Sequence, residues 1–501
     1  MPRSTRRPLS SVPKDPILRS EMWIAIGVFT AMCVVVLLKT PQLLEPDDYA
    51  YRASIVALSE GHVLLSNAQY IALLAQLDAH GAGGIEQWVH LARGSWISQK
   101  NPGYPFFAVG FQWFHVLRWT PLFYGGFACC GLFYGARRWL GRWGGTYAVV
   151  LYCTSGAALN FAWRATMPTF TDASLIAGAA GLLLGVLVAK GDLVPRRLIL
   201  GLIAFLALEG AVLIRYTDVT VLLVAVIAVI ALRRVCVLSR ATVLTWMAVV
   251  IWLAAFGIEL NHLLYGGTTT TGYPSGLITF GSSAILPNLG RMPQELVESM
   301  PMLIPALASM VWIVVRLVRS RRVDPRFPPR LRARQDAMVA LVLAAGWFSV
   351  WALYSTYTWT VAQTLGTVIP VHVVRFYVPA LGLIALLAAW FFKQLPRWFA
   401  SAVFVVLAGA GVWSYQLPAN HLIVKSHSSP FLPPDRAAPV PSEMDRANKP
   451  WAPRRRKLVH ARSKSCLYRL SEERMNASSE NRPVPKRATT AASAASATFS
   501  W

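Results

Sequence analysis

Two adjacent carboxylates, Asp47 and Asp48, stand in the stretch EPDDYAYR, residues 45–52, shortly after the first long apolar run ends at Leu38. A carboxylate in a partly dry cleft can act as a general base toward a hydroxyl group, and two together can hold a divalent cation. Neighbouring residues on a helix point about a quarter-turn apart, so we expect the two to do different jobs. The structural alternative is a solvated helix cap beyond the apolar run.

Two further charged residues stand at the ends of apolar runs. Asp172 opens such a run in RATMPTFTDAS, residues 164–174, where ordinary helix capping is the alternative explanation. Arg215 lies in IRYTD, residues 214–218, between two apolar runs. A charge so close to a membrane is expensive unless it is paired or functional, and an ion pair with Asp218 is the alternative.

Two cations are candidate ligands of a phosphate. Arg375 stands in VHVVRFYVPAL, residues 371–381, between His372 and Tyr377. Arginine can clamp a phosphate with two parallel hydrogen bonds, and a snorkelling interface residue is the alternative. Lys100, which precedes Asn101 and a proline, is the second candidate. Three lone histidines could be ligands or bases, although lone histidines are more often structural: His62, His115 and His262.

The composition indicates a membrane protein. The 501 residues are 55% hydrophobic and 14% charged, whereas a soluble domain has about a quarter of its residues charged. The net charge of +25 falls in short clusters between apolar runs, so the positive-inside rule explains it and nucleic-acid binding is not needed. The six cysteines form no CxxC pair and no zinc-type Cys/His spacing.

Several common reaction types lack their motifs. The chain contains no P-loop, no GxGxxG with a following acidic residue, no HExxH and no GxSxG. Nucleotide-driven and serine-hydrolase chemistry are therefore not indicated. The energy for a reaction outside the cytoplasm would have to arrive with an activated substrate carried by the membrane.

The basic clusters predict an all-α polytopic fold. The basic segment 1–20 is expected in the cytoplasm, and residues 21–417 form one transmembrane domain of about eleven crossings. The tail, residues 418–501, is rich in Pro, Ser, Ala and Arg and reads as disordered. The expected crossings are residues 22–38, 121–139, 144–162, 172–189, 198–213, 219–232, 242–264, 300–318, 337–355, 376–392 and 398–414.

Residues 41–120 are expected to form a long first extracytoplasmic loop. Apolar residues cluster on one helical face in residues 70–77 and again in residues 85–92, which predicts two amphipathic helices at the membrane interface. The apolar part of residues 104–117 is short for a crossing. Since the next crossing must run from outside to the cytoplasm, we expect this part to start and end outside.

The order of four features resembles the GT-C type glycosyltransferases that depend on polyprenyl-phosphate sugars. The features are the acidic pair after the first span, the stretch Lys100-Asn-Pro-Gly-Tyr-Pro, the span start TDAS with Asp172, and RFYVPAL with Arg375. Protein O-mannosyltransferases and the enzyme that adds aminoarabinose to lipid A are members. The family's familiar Lys-Pro-Pro is Lys-Asn-Pro here.

The resemblance implies an enzyme of the cell membrane that takes part in cell-envelope assembly. It would move a sugar from a polyprenyl-phosphate-linked donor to a hydroxyl of a glycan, lipid or protein acceptor, on the extracytoplasmic face. Asp47 or Asp48 would be the catalytic base or help to bind a metal, although no cofactor is required by the sequence. The residues that would bind substrate are Lys100, Asp172, Arg215, His372, Arg375 and Tyr377.

Two other functions fit the membrane pattern. In a transporter or lipid flippase, Arg215 and Glu209 would line a path, but the long first loop would be unusual and no paired broken helices occur in two halves. A non-catalytic subunit of an envelope-assembly complex is the third hypothesis. The residues alone indicate a reaction class and leave the sugar and the acceptor open.

Overall fold

A computed structural model describes residues 16–39, 46–77, 87–91, 94–188, 193–268, 272–273, 279–321, 328–362 and 371–416. The predicted tail, residues 418–501, lies outside these residues. The α-helices are α1 Pro16–Leu38, α2 Pro46–Ser59, α3 Asn67–Gln76, α4 Gly103–Trp113, α5 Thr120–Leu140, α6 Gly144–Thr154, α7 Gly156–Ala162, α8 Thr169–Val188, α9 Val194–Ile214, α10 Val219–Leu232, α11 Arg240–Tyr265, α12 Ile285–Ser299, α13 Leu303–Arg321, α14 Pro328–Ser355, α15 Thr358–Ala362, α16 Val371–Val374, α17 Leu381–Phe392 and α18 Arg397–Ser414. The strands are β1 Trp88–His90 and β2 Trp96–Ser98.

The chain is a multi-pass helical membrane protein, as the sequence predicts. Six helices among the described residues are long and apolar enough to cross a membrane, and a pair bent by 111° would make a seventh. All eleven expected crossings fall on helices, but the one expected at residues 144–162 is broken at Ser155 into α6 and α7. The number of crossings stays a prediction.

The centre of the helical domain is the contact between α5 and α8. A Cβ atom on Gly135 would lie 2.1 Å from the carbonyl oxygen of Gly181, and one on Gly181 would lie 2.2 Å from the carbonyl carbon of Gly131. Only glycine permits so close a backbone approach, which is the usual way that membrane helices pack tightly. Helix α8 is buried along most of its length and carries Asp172 in its first turn.

The segment between α1 and α5 begins with α2 and α3. The predicted helix over residues 70–77 is confirmed as part of α3. Ser66 caps α3, since its hydroxyl accepts from the backbone N–H of Gln69 while the Gln69 side chain accepts from the N–H of Ser66. This reciprocal arrangement satisfies two backbone donors and fixes where the helix begins.

The second amphipathic helix predicted for this segment, over residues 85–92, is wrong. Strand β1 pairs antiparallel with β2, with Val89 opposite Ile97. Gln87 takes a positive φ of 66°, which no helix continues through, and the aromatic ring of Trp96 stacks on Tyr70 at 4.1 Å. Aromatic and β-branched residues favour strands when such partners are available, and tertiary packing overrides the helical spacing here.

Helix α4 is too short to cross a membrane. Its 11 residues span about 16 Å, roughly half of a hydrocarbon core. Phe106, Trp113 and Phe114 leave large aromatic surfaces exposed. The expectation that this apolar stretch does not cross agrees with that length, and its position at the membrane interface stays a prediction.

Two breaks in the apolar helices leave irregular backbone beside α2. Helix α9 ends at Ile214, Arg215 is extended with φ −147° and ψ 103°, and a single 3-10 turn, Tyr216–Asp218, leads into α10. A second break separates the short α16 from α17 and contains Arg375. Irregular backbone within a membrane domain is tolerated where it is buried in protein or lines a cavity.

Candidate functional site

Asp47 lies between two cations from distant parts of the chain. Its Oδ1 is 2.9 Å from Lys100 Nζ, and its Oδ2 is 2.9 Å from Arg375 Nη1, a residue 328 positions further on. The three side chains are 14%, 7% and 11% exposed. The structure therefore brings together one predicted base and both of the predicted phosphate ligands.

The two cations decide the protonation state of Asp47. Burial by itself would raise the pKa of this carboxyl group, but the charges of Arg375 and Lys100 outweigh it and hold the pKa below its usual range. Asp47 is therefore ionised at neutral pH. With both of its oxygens paired, the carboxylate is a poor proton acceptor in this arrangement.

Lys100 is held in place by aromatic hydroxyl groups. Its ammonium group donates to the hydroxyl oxygen of Tyr273 at 2.8 Å. The hydroxyl of Tyr265, the last residue of α11, donates to the carbonyl oxygens of Ser98 and Lys100 at 3.2 and 3.3 Å. The end of the β-hairpin and the end of α11 together fix the lysine beside Asp47.

Arg375 lies against aromatic rings. Its guanidinium carbon is 4.9 Å from the ring centre of Phe376 and 5.6 Å from that of Trp359. Such cation–π contacts orient a guanidinium group and leave its edge available for an anion. Tyr377, also predicted to bind substrate, is buried and packs edge-on against Trp351 at 6.0 Å. His372 lies in α16, and its side chain is outside those that the structure describes.

Asp48 belongs to a different, fully buried pair. Its Oδ2 is 2.5 Å from Arg164 Nη2, and its Oδ1 accepts from the Thr166 hydroxyl at 3.0 Å. The two neighbouring carboxylates thus face different partners. Arg164 and Thr166 were missed by the sequence analysis. The signal was present, because Arg164 is a lone arginine between two apolar runs in the same stretch as Asp172.

A third group of charges surrounds Arg215. Its Nε is 3.6 Å from Asp172 Oδ2, and the buried carboxyl group of Asp218 lies near enough to interact electrostatically with both charges. Arg215 Nη1 donates to the backbone carbonyl of Arg375 at 3.2 Å, and Nη2 donates to the Thr169 hydroxyl at 3.4 Å. Arg215 therefore contacts both Asp172 and the backbone of the Asp47 site.

The acidic pair does not fit a divalent cation as the residues are arranged. Asp47 and Asp48 point to different partners, and the groups nearest to both are cations, which would repel a metal ion. Within the described ranges, no group of three or more His, Cys, Asp or Glu side chains could hold a metal.

The described contacts of the three histidines are made elsewhere, although His62 and Lys100 line the same groove. The ring of His62 is 3.1 Å from the Gln69 amide, and His115 takes a positive φ of 57° after α4. His262 is part of the last turn of α11. None of these contacts involves Asp47 or its two cations.

A largely apolar groove opens beside Lys100. Helices α2 and α4, the β-hairpin and the end of α11 form its walls. The residues that line it include Ala57, Leu58, His62, Pro105, Phe106 and Tyr265. An apolar group can therefore lie next to a cation that faces Asp47.

Comparison with solved structures finds similar arrangements at low identity. The chain is 14% identical to ArnT from Cupriavidus metallidurans bound to undecaprenyl phosphate, with a TM-score of 0.47 over 78% of this chain and 63% of that chain. It is 12% identical to the archaeal oligosaccharyltransferase AglB from Archaeoglobus fulgidus in complex with an inhibitory peptide and a dolichol-phosphate, with a TM-score of 0.45 over 80% of this chain and 56% of that chain.

No family model matches the chain, and a search of curated proteins by sequence finds no match either. The chain spans less than two thirds of the length of both solved structures.

Proposed function

We propose that this protein is a membrane glycosyltransferase that moves a sugar from a polyprenyl-phosphate-linked donor to an acceptor hydroxyl on the extracytoplasmic face. The observation that carries the proposal is the placement of Asp47 between Lys100 and Arg375 at 2.9 Å each. One carboxylate and two cations are the groups that a base and a phosphate clamp require. The apolar groove beside Lys100 suits a lipid-linked substrate.

The donor phosphate binds where the Asp47 carboxylate now lies. Lys100 and Arg375 each hold one oxygen of Asp47, and a phosphate offers oxygens of the same charge. Once the phosphate has taken both cations, they balance the negative charge that grows on it as the sugar departs. The same exchange frees Asp47 from its two partners and makes it a better proton acceptor.

The transfer step then uses Asp47 as the general base. Asp47 takes the proton of the acceptor hydroxyl, and the acceptor oxygen forms a new bond to the anomeric carbon of the sugar. The bond from that carbon to the phosphate oxygen breaks, and polyprenyl phosphate leaves with the electron pair. Attack from the side opposite the phosphate inverts the anomeric configuration.

The proposed sidedness rests on the basic residues at the other end of the helices. Arg137, in the last turn of α5, pairs with Glu21 near the start of α1 at 2.8 Å. The beginning of α1 and the end of α5 therefore lie on the same side, and Asp47 follows the far end of α1. If the basic end is cytoplasmic by the positive-inside rule, the Asp47 site lies outside.

Mass spectrometry of envelope glycans and glycolipids tests the proposal. Cells that lack the gene are complemented with wild-type protein, with Asp47→Asn, or with Glu298→Gln as a matched control on an exposed helix surface. We expect one sugar unit to disappear without the gene and to return with wild type and Glu298→Gln only. An unchanged glycan profile, or full restoration by Asp47→Asn at equal protein level, would contradict the proposal.

A further inference from the structure

Lys100 and Arg375 together form the proposed phosphate clamp, and Arg215 contacts the backbone behind it. All three guanidinium nitrogens of Arg215 face acceptors of the protein. Nη1 faces the Arg375 carbonyl oxygen at 3.2 Å, Nη2 the Thr169 hydroxyl at 3.4 Å, and Nε the Asp172 carboxylate at 3.6 Å. The acceptors come from two different elements, α8 and the turn after α16. Arg215 thereby links that turn to the first turn of α8.

The contact with Arg375 is to its backbone and not to its side chain. A hydrogen bond to that carbonyl restrains the dihedral angles of the turn from which the Arg375 side chain projects. The ring of Phe376 lies beside both guanidinium groups, 4.9 Å from that of Arg375 and 5.8 Å from that of Arg215. The direction of the Arg375 side chain therefore depends on Arg215 and on the ring between them.

The same break in the helices also supports Lys100. The amide of Asn101, the residue after Lys100, donates to the carbonyl oxygen of Ile214 at 3.2 Å. Gly103 lies so close to this break that a Cβ atom would be 2.3 Å from the carbonyl carbon of Leu213. Lys100 and Arg375 are therefore both supported by residues at the end of α9.

The charge of Arg215 is balanced where it lies. Asp172 faces it, and the buried carboxyl group of Asp218, three residues further along, also interacts electrostatically with it. Arg215 is 15% exposed. A guanidinium group flanked by two carboxyl groups has less attraction for a third anion than an unbalanced one would have.

We infer that Arg215 is a positioning residue. It fixes the orientation of the Arg375 side chain by donating to the backbone carbonyl of Arg375, and it does not itself bind the donor phosphate. The inference rests on the proposed function, because the clamp that Arg215 positions is the one proposed there. It replaces the expectation from sequence that Arg215 binds substrate directly.

A double-mutant cycle on the full-length protein in detergent tests the inference, with undecaprenyl phosphate without a sugar as the probe. We expect Arg215→Gln and Arg375→Gln each to weaken binding by about tenfold, the usual effect of losing a hydrogen bond to a charged group. The double variant should bind no more weakly than Arg375→Gln alone, since Arg215 acts through Arg375. Additive losses, about a hundredfold in the double variant, would mean that Arg215 contacts the phosphate itself and would overturn the inference.

Two further variants separate geometry from charge. Arg215→Lys keeps the charge but has a single nitrogen in place of the two that reach Arg375 and Thr169, so we expect it to lose as much binding as Arg215→Gln. Thr169→Val keeps every charge and removes one acceptor of Arg215, and we expect a smaller loss in the same direction. Near wild-type binding by Arg215→Lys would show that only the charge matters.

The failure of the proposed function gives a different result from the failure of this inference. If wild-type protein does not bind undecaprenyl phosphate, the proposed clamp is wrong and the inference falls with it. If wild type binds and the cycle is additive, the clamp stands and only the positioning role is wrong. Elution volume and melting temperature of each variant show whether it is folded.

Discussion

At the scale of single residues, the chemistry depends on which charged groups face each other. Asp47 and Asp48 are neighbours in sequence, but one is paired with Lys100 and Arg375 in a partly open site and the other with Arg164 in the interior. The second carboxylate is fully buried together with its partner. Two cations that hold a carboxylate near a groove can exchange that carboxylate for another anion.

Replacing the Asp47 carboxylate should have opposite effects on catalysis and on donor binding. Asp47→Asn removes the base, so we expect transfer to be lost. It also frees Lys100 and Arg375 from their present anion, so we expect undecaprenyl phosphate to bind about fivefold more tightly, in line with about 1 kcal/mol for a partly exposed ion pair. Binding and turnover of the same purified protein check both effects.

Lys100→Gln is the matched comparison for this prediction. It should weaken both donor binding and transfer, because it removes a phosphate ligand and leaves the base in place. Weaker binding of undecaprenyl phosphate by Asp47→Asn would show that the carboxylate and the phosphate do not compete for the two cations. The exchange step of the mechanism would then be wrong.

The depressed pKa of Asp47 predicts how its contribution to stability changes with pH. Since the pKa in the folded protein lies below the unfolded value of about 3.9, the ion pairs stabilise the fold fully at pH values above that value. The contribution is lost as the pH falls below it. We expect the difference in melting temperature between wild type and Asp47→Asn to be constant from about pH 6 to pH 8.

Thermal unfolding in detergent over a range of pH checks this prediction. The difference between the two proteins should shrink as the pH falls through about 4 and below, because the unfolded wild-type chain then takes up a proton that the folded protein does not, which favours unfolding. A difference that already shrinks near neutral pH would mean that the Asp47 pKa is raised and not lowered.

At the scale of elements, the site depends on how α8 is held against α5. The contact involves backbone atoms of both helices, with glycines at 131, 135, 178 and 181. Asp172 and Thr169 lie in the first turn of α8, and both contact Arg215. A shift of α8 would therefore displace Arg215, and with it the hydrogen bond that Arg215 donates to the Arg375 backbone.

A methyl group in the α5–α8 contact should loosen both the fold and the site. In Gly181→Ala the added carbon would lie 2.2 Å from the backbone of Gly131, so the helices must separate. We expect a melting temperature several degrees lower and reduced binding of undecaprenyl phosphate. Gly27→Ala, in α1, is the matched control because a Cβ atom there meets nothing within 4 Å.

Thermal unfolding and binding of the two alanine variants check this prediction. Alanine is the better helix former, so Gly27→Ala should be neutral or slightly stabilising. Equal melting temperatures for Gly181→Ala and Gly27→Ala would contradict the close packing of α5 on α8.

At the scale of the whole molecule, the protein is apolar where a bilayer would surround it, and several of its buried charges are gathered at one interior site. Large exposed hydrophobic side chains occur along the long helices, whereas Asp47, Asp48 and Asp172 are gathered near one end of them. Buried charge within a membrane domain is costly, which makes this cluster the candidate functional site. The end at which that site lies decides which substrates can reach it.

Labelling of single introduced cysteines checks the proposed sidedness. Glu60 is exposed just after α2, on the side of Asp47, and Arg319 is exposed near the end of α13 in a strongly basic segment. We expect a membrane-impermeant thiol reagent to label Glu60→Cys in intact cells and Arg319→Cys only after permeabilisation. Unaltered protein controls for the native cysteines, and the reverse pattern would put the site in the cytoplasm.

Composition alone determined that the chain is built of membrane helices. In a bilayer no water can satisfy the backbone polar groups of a segment. A long apolar run therefore forms a helix, in which these groups are hydrogen-bonded to each other. The segment over residues 85–92 has no such constraint. Its backbone can pair with residues 96–98, so local spacing predicted a helix and packing against Tyr70 produced a strand.

The candidate residues could also be chosen from sequence, because a charge beside an apolar run is conspicuous. Asp47, Lys100 and Arg375 were recognised in this way. The sequence did not determine that they meet, that Asp48 is paired with Arg164, or that Arg215 donates to a backbone carbonyl. Those contacts join residues that are far apart in the chain, and only the tertiary packing, which brings the start of α2 to Lys100, Arg164 and Arg375, decided which charges lie within reach of one another.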